Sequence, residues 1–256
     1  METVVVEHHN AVRRIILNRP SRRNAQNFLM WRELDEVGAR ISNDPNVRCV
    51  VITGLENFSS GIDLAEVAPP DGALISIGHL ARTDMAAATK KLADIQSQFL
   101  WITESHLPVV AAVRGVALGA GLELALACDV RIVASDARLS LPEVSIGVVP
   151  DLGGCHHLLA GVGYERAFDL IMNSREITGI DAVALGIALK HDIDSKIDPL
   201  ALSYAHAIAD LAPTAVRYTK RALKSRTSAE SLIEAAKGMA QGLVALAGAG
   251  DPPAAD

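Results

Sequence analysis

Aromatic residues make up only 4% of this 256-residue sequence. Its core must therefore be aliphatic, and it has few rings on which nucleic-acid bases could stack. A basic surplus is also missing. The chain has 24 Lys and Arg against 30 Asp and Glu, a formal net charge of −6. Both absences argue against a general nucleic-acid binder. With 50% hydrophobic and 21% charged residues, the composition excludes a disordered chain. Long uncharged apolar runs are lacking too. The most apolar stretch, Leu107 to Val133, is broken by Arg114, Glu123, Asp129 and Arg131. No run of roughly 20 apolar residues, the length of a membrane span, survives. Met1-Glu2-Thr3 does not begin a basic-then-apolar signal segment. A cytoplasmic protein is expected.

Metal and disulfide signals are equally scarce. Cys49, Cys128 and Cys155 are widely spaced and form no CxxC pair. They are expected to be buried thiols that pack as small hydrophobes. The histidines form no HExxH, and the adjacent pairs His8-His9 and His156-His157 do not suit one metal. No G-x-S-x-G nucleophile elbow occurs.

What is present alternates between strand and helix signals. Thr3–Glu7, Val12–Leu17, Val47–Thr53, Val109–Val113, Val130–Ala134 and Ala137–Leu141 read as strands. Helical spacing marks Phe28–Ile41, Met85–Ser105, Gly119–Ala127, Gly154–Leu159, Tyr164–Met172 and Ile180–Leu185. Pro69–Gly72 reads as a loop, and the Gly/Pro/Ala-rich tail after Gly248 as a frayed end. From Pro199 onward the pattern is almost wholly helical. The alternation predicts an α/β fold.

Four segments offer chemistry. Arg114 to Glu123 reads as a strand end, a glycine turn and a helix start, whose free N–H groups suit an anion or a developing oxyanion. The same glycines would also serve simple strand–helix packing. G-x-G-x-x-G is not completed there, because Gly119 and Gly121 are followed by Leu124. Glu123 stands in an otherwise apolar run, where ionisation is costly and the pKa should rise; a side chain pointing outward is the plain alternative. In Leu141–Gly154, Glu143 reads either as an acid/base group or as a solvated loop charge. Asp151 there reads as an acid or as the cap of the next helix. In Phe58–Leu64, Ser59-Ser60-Gly61 forms a turn that would expose the Ile62 N–H, and Asp63 reads as a helix cap.

In order and spacing these segments resemble the enoyl-CoA hydratase/isomerase (crotonase) superfamily. The resemblance runs from Ile15-Ile16-Leu17-Asn18-Arg19-Pro20 and Arg23-Asn24-Ala25 through Val50–Gly54 and Phe58–Leu64. It continues through Pro108–Gly115, Gly119–Ala125, Cys128-Asp129, Pro142-Glu143, Gly147, Pro150 and Gly153-Gly154. It implies a crotonase-like spiral of ββα units over residues 1–195 and a helical C-terminal oligomerisation segment over 196–256. A homotrimer, often paired as a hexamer, is implied. So are an acyl-CoA thioester substrate and no separate cofactor.

By motif position, the resemblance makes the backbone N–H groups of Ile62 and Ala120 the oxyanion hole. Glycine is common at the Ala120 position. Ala25 and Ser60 would lie near the adenine end of CoA. Glu123 and Glu143 match the two glutamates that hold water and deliver a proton in hydratases of the family, so hydration of a trans-2-enoyl-CoA is the main expectation. Asp151 departs from the hydratase pattern, which has a small residue there. It matches the acid of dienoyl-CoA isomerases, in which it would work with Glu143. Those isomerases usually carry aspartate at the Glu123 position, so the acid set is a hybrid. A double-bond isomerase is the second expectation, and a non-catalytic acyl-CoA binding protein the third. The segment Glu66–Ser105 is expected to shape the acyl pocket.

Overall fold

The computed structural model describes residues 1–67, 84–225 and 228–248. The expected loop at Pro69–Gly72, much of the expected pocket segment's first half and the tail after Gly248 lie outside these residues. The larger sheet has six strands in the order β1 (Val4–His9), β2 (Val12–Leu17), β3 (Cys49–Thr53), β4 (Val109–Val113), β6 (Val130–Ala134) and β9 (Lys190–Asp192). β1 and β2 form an antiparallel hairpin turned at Asn10, whose φ is +54°. Every later neighbour pairs in parallel. All five residues of β3 and all five of β4 are buried. That is why both strands read as unbroken apolar runs rather than alternating ones. A second sheet joins β5 (Val116–Leu118) in parallel to β7 (Arg138–Ser140), and β7 antiparallel to β8 (Ile177–Thr178).

Helices cover the sheets. α1 (Phe28–Ser42) is capped by the Asn27 side chain, which accepts from Met30 N at 2.9 Å, and it buries Met30, Trp31, Leu34, Val37 and Ile41. α2 (Leu64–Val67) is short. The single helix expected over Met85–Ser105 is instead α3 (Met85–Gln96), a 3₁₀ turn (Ser97–Phe99) and α4 (Leu100–Glu104). This turn carries Phe99, which packs edge-on against Trp31 with ring centroids 5.2 Å apart. Then follow α5 (Ala120–Ala127), α6 (Gly154–Val162), α7 (Tyr164–Met172), α8 (Gly179–Leu185), α9 (Ile197–Ala209), α10 (Pro213–Lys224) and α11 (Ser228–Gly248).

Three short strands escape the sequence reading. Val116–Leu118 and Ile177–Thr178 are too short to show a period. Lys190–Asp192 is polar and becomes a strand only because β6 offers it an edge. α9 buries Ile197, Ala201, Ala205 and Ala209, a stripe spaced by four that packs on β3, β4 and β6. α10 is tied to the core by Lys220, whose buried Nζ donates to Leu107 O at 2.6 Å and to Asp129 Oδ2 at 2.7 Å. Among the described residues no helix is long and apolar enough to cross a membrane. Cys49 and Cys128 are buried, and burial pushes both thiols up to about 12. Cys155 departs from the expectation: it is exposed, on the first turn of α6.

Candidate active site

The parallel strands aim the chain at one end of the sheet. β3 and β4 both run into loops at their C-terminal ends, the usual place for a site in a parallel sheet. The loop after β3 reaches Ser59–Ile62, and the loop after β4 reaches Gly119–Gly121 through β5. Three glycines let these segments touch. A Cβ on Gly61 would meet Leu118 O at 2.7 Å and lie 3.7 Å from Ala120 N. A Cβ on Gly121 would meet Ser59 O at 2.3 Å. Gly61 has φ +94° and Gly119 has φ +51°, conformations that favour glycine.

Two N–H groups are left free by this arrangement. Around Ile62, Gln26 N donates to Gly61 O and Asp63 N donates to Gln26 O, each at 2.7 Å. The Ile62 N–H faces away from that bridge and meets no acceptor among the described residues. Ala120 opens α5, so its N–H has no intrahelical partner, and it too meets no acceptor among the described residues. The alanine therefore keeps the donor, and the helix dipole adds partial positive charge there.

The carboxyls expected beside them come from two elements. All eight residues of α5 are buried, and Glu123 is only 2% exposed. The outward-pointing alternative is ruled out. Its Oε1 accepts from Leu152 N at 3.0 Å and Gly154 N at 2.9 Å. A Cβ on Gly154 would meet that oxygen at 2.7 Å and force the carboxyl to shift. Burial pushes the Glu123 carboxyl up to about 8 against these two donors, with help from the charges of Glu143 and Asp151. Glu143 opens the 3₁₀ turn Glu143–Ile146. It is half-buried rather than a solvated loop charge, and its Oε2 is buried without a partner among the described residues. Burial raises it above the usual carboxylate range, and Asp151 adds to the rise.

The register of the second sheet explains why carboxyls twenty apart in sequence act on one another. β5 and β7 run in parallel with Leu118 opposite Ser140, and Gly119 N donates to Ser140 O at 2.9 Å. Each strand then hands its chain to an acid-bearing turn on the same side. A Cβ on Gly119 would lie 2.9 Å from Glu143 Oε1, so this carboxyl sits against the peptide next to Ala120. Asp151 is exposed, and its Oδ2 accepts from Gln96 Nε2 at 3.1 Å. It does not cap α6, whose N-cap is Gly153. Asp63 does cap, accepting from Ala65 N at 3.1 Å, and pairs with Arg19 at 2.8 Å.

Ser60, on the loop after β3, lies against the Arg22–Ala25 turn that follows β2. Ser60 N donates to Arg23 O at 2.9 Å, and Ala25 N donates to Arg22 O at 3.0 Å. Arg22 and Arg23 are exposed beside them, a source of local positive charge that the net charge conceals. Arg23 and Asn24 both have positive φ, +50° and +54°. Asn24 holds that strained turn in place, donating to Gly54 O at 2.8 Å and Asn57 O at 2.7 Å.

The polar side chains behind the loops were not anticipated. Gln26 is fully buried. Its Nε2 donates to Ser59 Oγ and to Ala120 O, each at 3.1 Å, and its Oε1 accepts from Trp31 Nε1 at 2.7 Å. Ser59 Oγ in turn donates to Asn24 O at 2.8 Å and accepts from Gly61 N at 3.2 Å. The available signal was three amides in four residues, Asn24-Ala25-Gln26-Asn27, directly before an amphipathic helix.

A cavity of about 420 Å³ lies elsewhere, at the N-terminal ends of β3 and β4, with Arg48, His106 and Arg217 in its lining. It contains none of these residues. No group of three metal-ligating side chains occurs among the described residues.

Comparison with known proteins identifies the family. The family model described as enoyl-CoA hydratase/isomerase matches residues 7–247. The short-chain-enoyl-CoA hydratase of Clostridium acetobutylicum is 32% identical over 87% of this chain and 81% of its own length. The (E)-benzylidenesuccinyl-CoA hydratase of Thauera aromatica is 33% identical over 86% and 81%. A crystal structure from Thermobifida fusca YX in complex with acetoacetyl-CoA, whose assignment as an enoyl-CoA hydratase is provisional, superposes with a TM-score of 0.83. It is 34% identical and covers 94% of each chain.

Proposed function

Since this chain belongs to the enoyl-CoA hydratase/isomerase family, we propose that it adds water to a trans-2-enoyl-CoA, giving the 3-hydroxyacyl-CoA. The observation that carries the reading is the pairing of two shielded carboxyls with two unpartnered N–H groups. Glu123 stays protonated to about pH 8, while Glu143 is raised and its Oε2 has no partner among the described residues. The mechanism starts from the pair with one proton, placed on Glu123.

The proposed mechanism uses each part once. The thioester oxygen sits between the Ile62 and Ala120 N–H groups, which bind it more strongly as it gains enolate charge. A water held by the two carboxyls attacks the β-carbon and gives its proton to the ionised one. The protonated carboxyl gives its proton to the α-carbon. The product gains H and OH, and the pair again holds one proton. The thioester supplies the electron sink, so the proposed chemistry needs no separate cofactor. Arg22 and Arg23, beside Ala25 and Ser60, are proposed to meet the anionic CoA.

Loss of the conjugated absorbance of crotonyl-CoA on mixing with the protein tests this reading, with Glu143→Gln as the inactive control. No turnover across a range of chain lengths refutes it. One observation favours a double-bond isomerase instead: the charge of Asp151 acts on both glutamates. Against it, the Asp151 carboxylate is exposed and held by Gln96.

A homotrimer, singly or paired as a hexamer, and a cytoplasmic location complete the proposal. Tyr164, Phe168 and Met172 lie four residues apart on α7 and are 70%, 50% and 49% exposed. α7 packs beside the 3₁₀ turn that bears Ile146, itself 73% exposed. Such an apolar face suits contact between subunits.

A further inference from the structure

We propose that Gln26 is a positioning residue that holds the two halves of the oxyanion hole in register, its main chain on the Ile62 side and its side chain on the Ala120 side. The proposal rests on the reading of those two N–H groups as the oxyanion donors. The main chain of Gln26 pairs with Gly61 O and Asp63 N, one on each side of Ile62. That pairing fixes the plane of the loop and turns the Ile62 N–H away from the bridge. Its side chain crosses to the other loop and donates to Ala120 O at 3.1 Å. Among the described residues no other bonds both donor-bearing residues or their immediate neighbours through main chain and side chain together.

The orientation of the amide follows from its partners. Trp31 Nε1 can only donate, so it must meet Oε1, and Ala120 O can only accept, so it must meet Nε2. The amide is thus locked at both ends, and it is fully buried. A buried amide left unpaired is costly, so any shift of Ala120 away from Gln26 is resisted. An oxyanion hole needs this rigidity, because donors displaced by an ångström lose much of their effect on a charge that exists only in the transition state. A side chain required only to fill the core could have been Met or Leu.

The test separates charge stabilisation from binding. Acetoacetyl-CoA has an acidic α-carbon, so the ultraviolet band of its bound enolate reports how well the two N–H groups stabilise an oxyanion. The affinity for CoA alone reports the remainder of the site. In the full-length protein, Gln26→Met should lower the bound enolate-to-neutral ratio about tenfold and change CoA affinity less than twofold; removal of a whole donor costs about 10² or more. Gln26→Glu keeps the shape, and the hydrogen-bond partners of this side chain are all neutral. Protonated, the new carboxyl has one O–H, which can donate to Ala120 O but not also to Ser59 Oγ; ionised, it can donate to neither. Its enolate ratio relative to wild type should therefore be highest at low pH and fall at least tenfold as the pH is raised.

A folded Gln26→Met protein with an unchanged enolate ratio overturns the proposal. If that variant does not fold, a pH-independent ratio for Gln26→Glu overturns it instead. Wild-type protein that binds acetoacetyl-CoA without enriching the enolate overturns both the donors and their positioning residue. Enrichment without hydration of crotonyl-CoA overturns the hydratase reading alone and leaves Gln26 in place.

Discussion

Replacing Glu123 by Gln should make the protein more stable and less active at once. The Glu123 carboxyl is pushed from an ordinary 4.5 up to about 8 in the folded protein. At pH 7 the folded state therefore keeps a proton that the unfolded state has lost. Each pH unit of that mismatch is worth about 1.4 kcal/mol, so folding at pH 7 bears a penalty of about 3 kcal/mol. For a raised carboxyl the sign is definite. Stability is fullest below pH 4.5, falls across the window from 4.5 to about 8, and is flat beyond it, after a total loss of about 5 kcal/mol.

Gln keeps an oxygen to accept from Leu152 N and Gly154 N and has no proton to lose. Urea unfolding of both proteins, at one protomer concentration and at intervals from pH 4 to 9, isolates this group, because the other titrations largely cancel in the difference. The variant should match wild type near pH 4 and exceed it by about 3 kcal/mol at pH 7. Its kcat should fall by about 10²- to 10⁴-fold, the usual worth of a general acid or base. A stability difference that stays constant within ~0.5 kcal/mol across pH 5 to 8 would refute the argument that burial holds this carboxyl protonated.

Gly154→Ala puts a methyl 2.7 Å from Glu123 Oε1; urea unfolding should show a loss of about 1–3 kcal/mol, and crotonyl-CoA turnover should drop with it. Asp151→Asn removes a charge that raises both glutamates, so the alkaline limb of the hydration pH–rate profile should move to lower pH. If the same variant fully retains migration of a 3,5-dienoyl-CoA to the 2,4-form, Asp151 is not the isomerase shuttle. Arg22→Ala with Arg23→Ala should raise KM for the CoA thioester several-fold at low salt and leave kcat unchanged, as expected for exposed cations that meet phosphate. Phe168→Glu places a charge on the exposed face of α7 and should convert the proposed trimer to monomer by sedimentation; a trimer of unchanged mass places the subunit contact elsewhere.

Much of the fold was legible because its main strands are buried on both faces. Val109–Val113 matches the structure residue for residue, since an all-apolar run in a parallel sheet leaves little room for another reading; Val130–Ala134 matches as well, although it carries Arg131. The short strands β5, β8 and β9 carry no pattern of their own and exist only through their partners. The same division holds at the site. Glu123 stood out as a lone charge in an apolar helix, the charge that also breaks the most membrane-like stretch of the chain. Gln26 and Gln96 gave no comparable signal, because an amide before a helix or on a helix face is common.

Residue pattern alone carries an aliphatic α/β protein without a membrane-length apolar run, and it points to the acids and the glycine turns. What the acids are depends on how the chain folds around them. The Leu118–Ser140 register brings Glu143 against the Gly119–Ala120 peptide, and the start of α6 closes over Glu123. Desolvation and neighbouring charge depend on distances that no local pattern encodes. The same carboxyl chemistry therefore becomes a buried group protonated to about pH 8 at Glu123 and an exposed, amide-held group at Asp151.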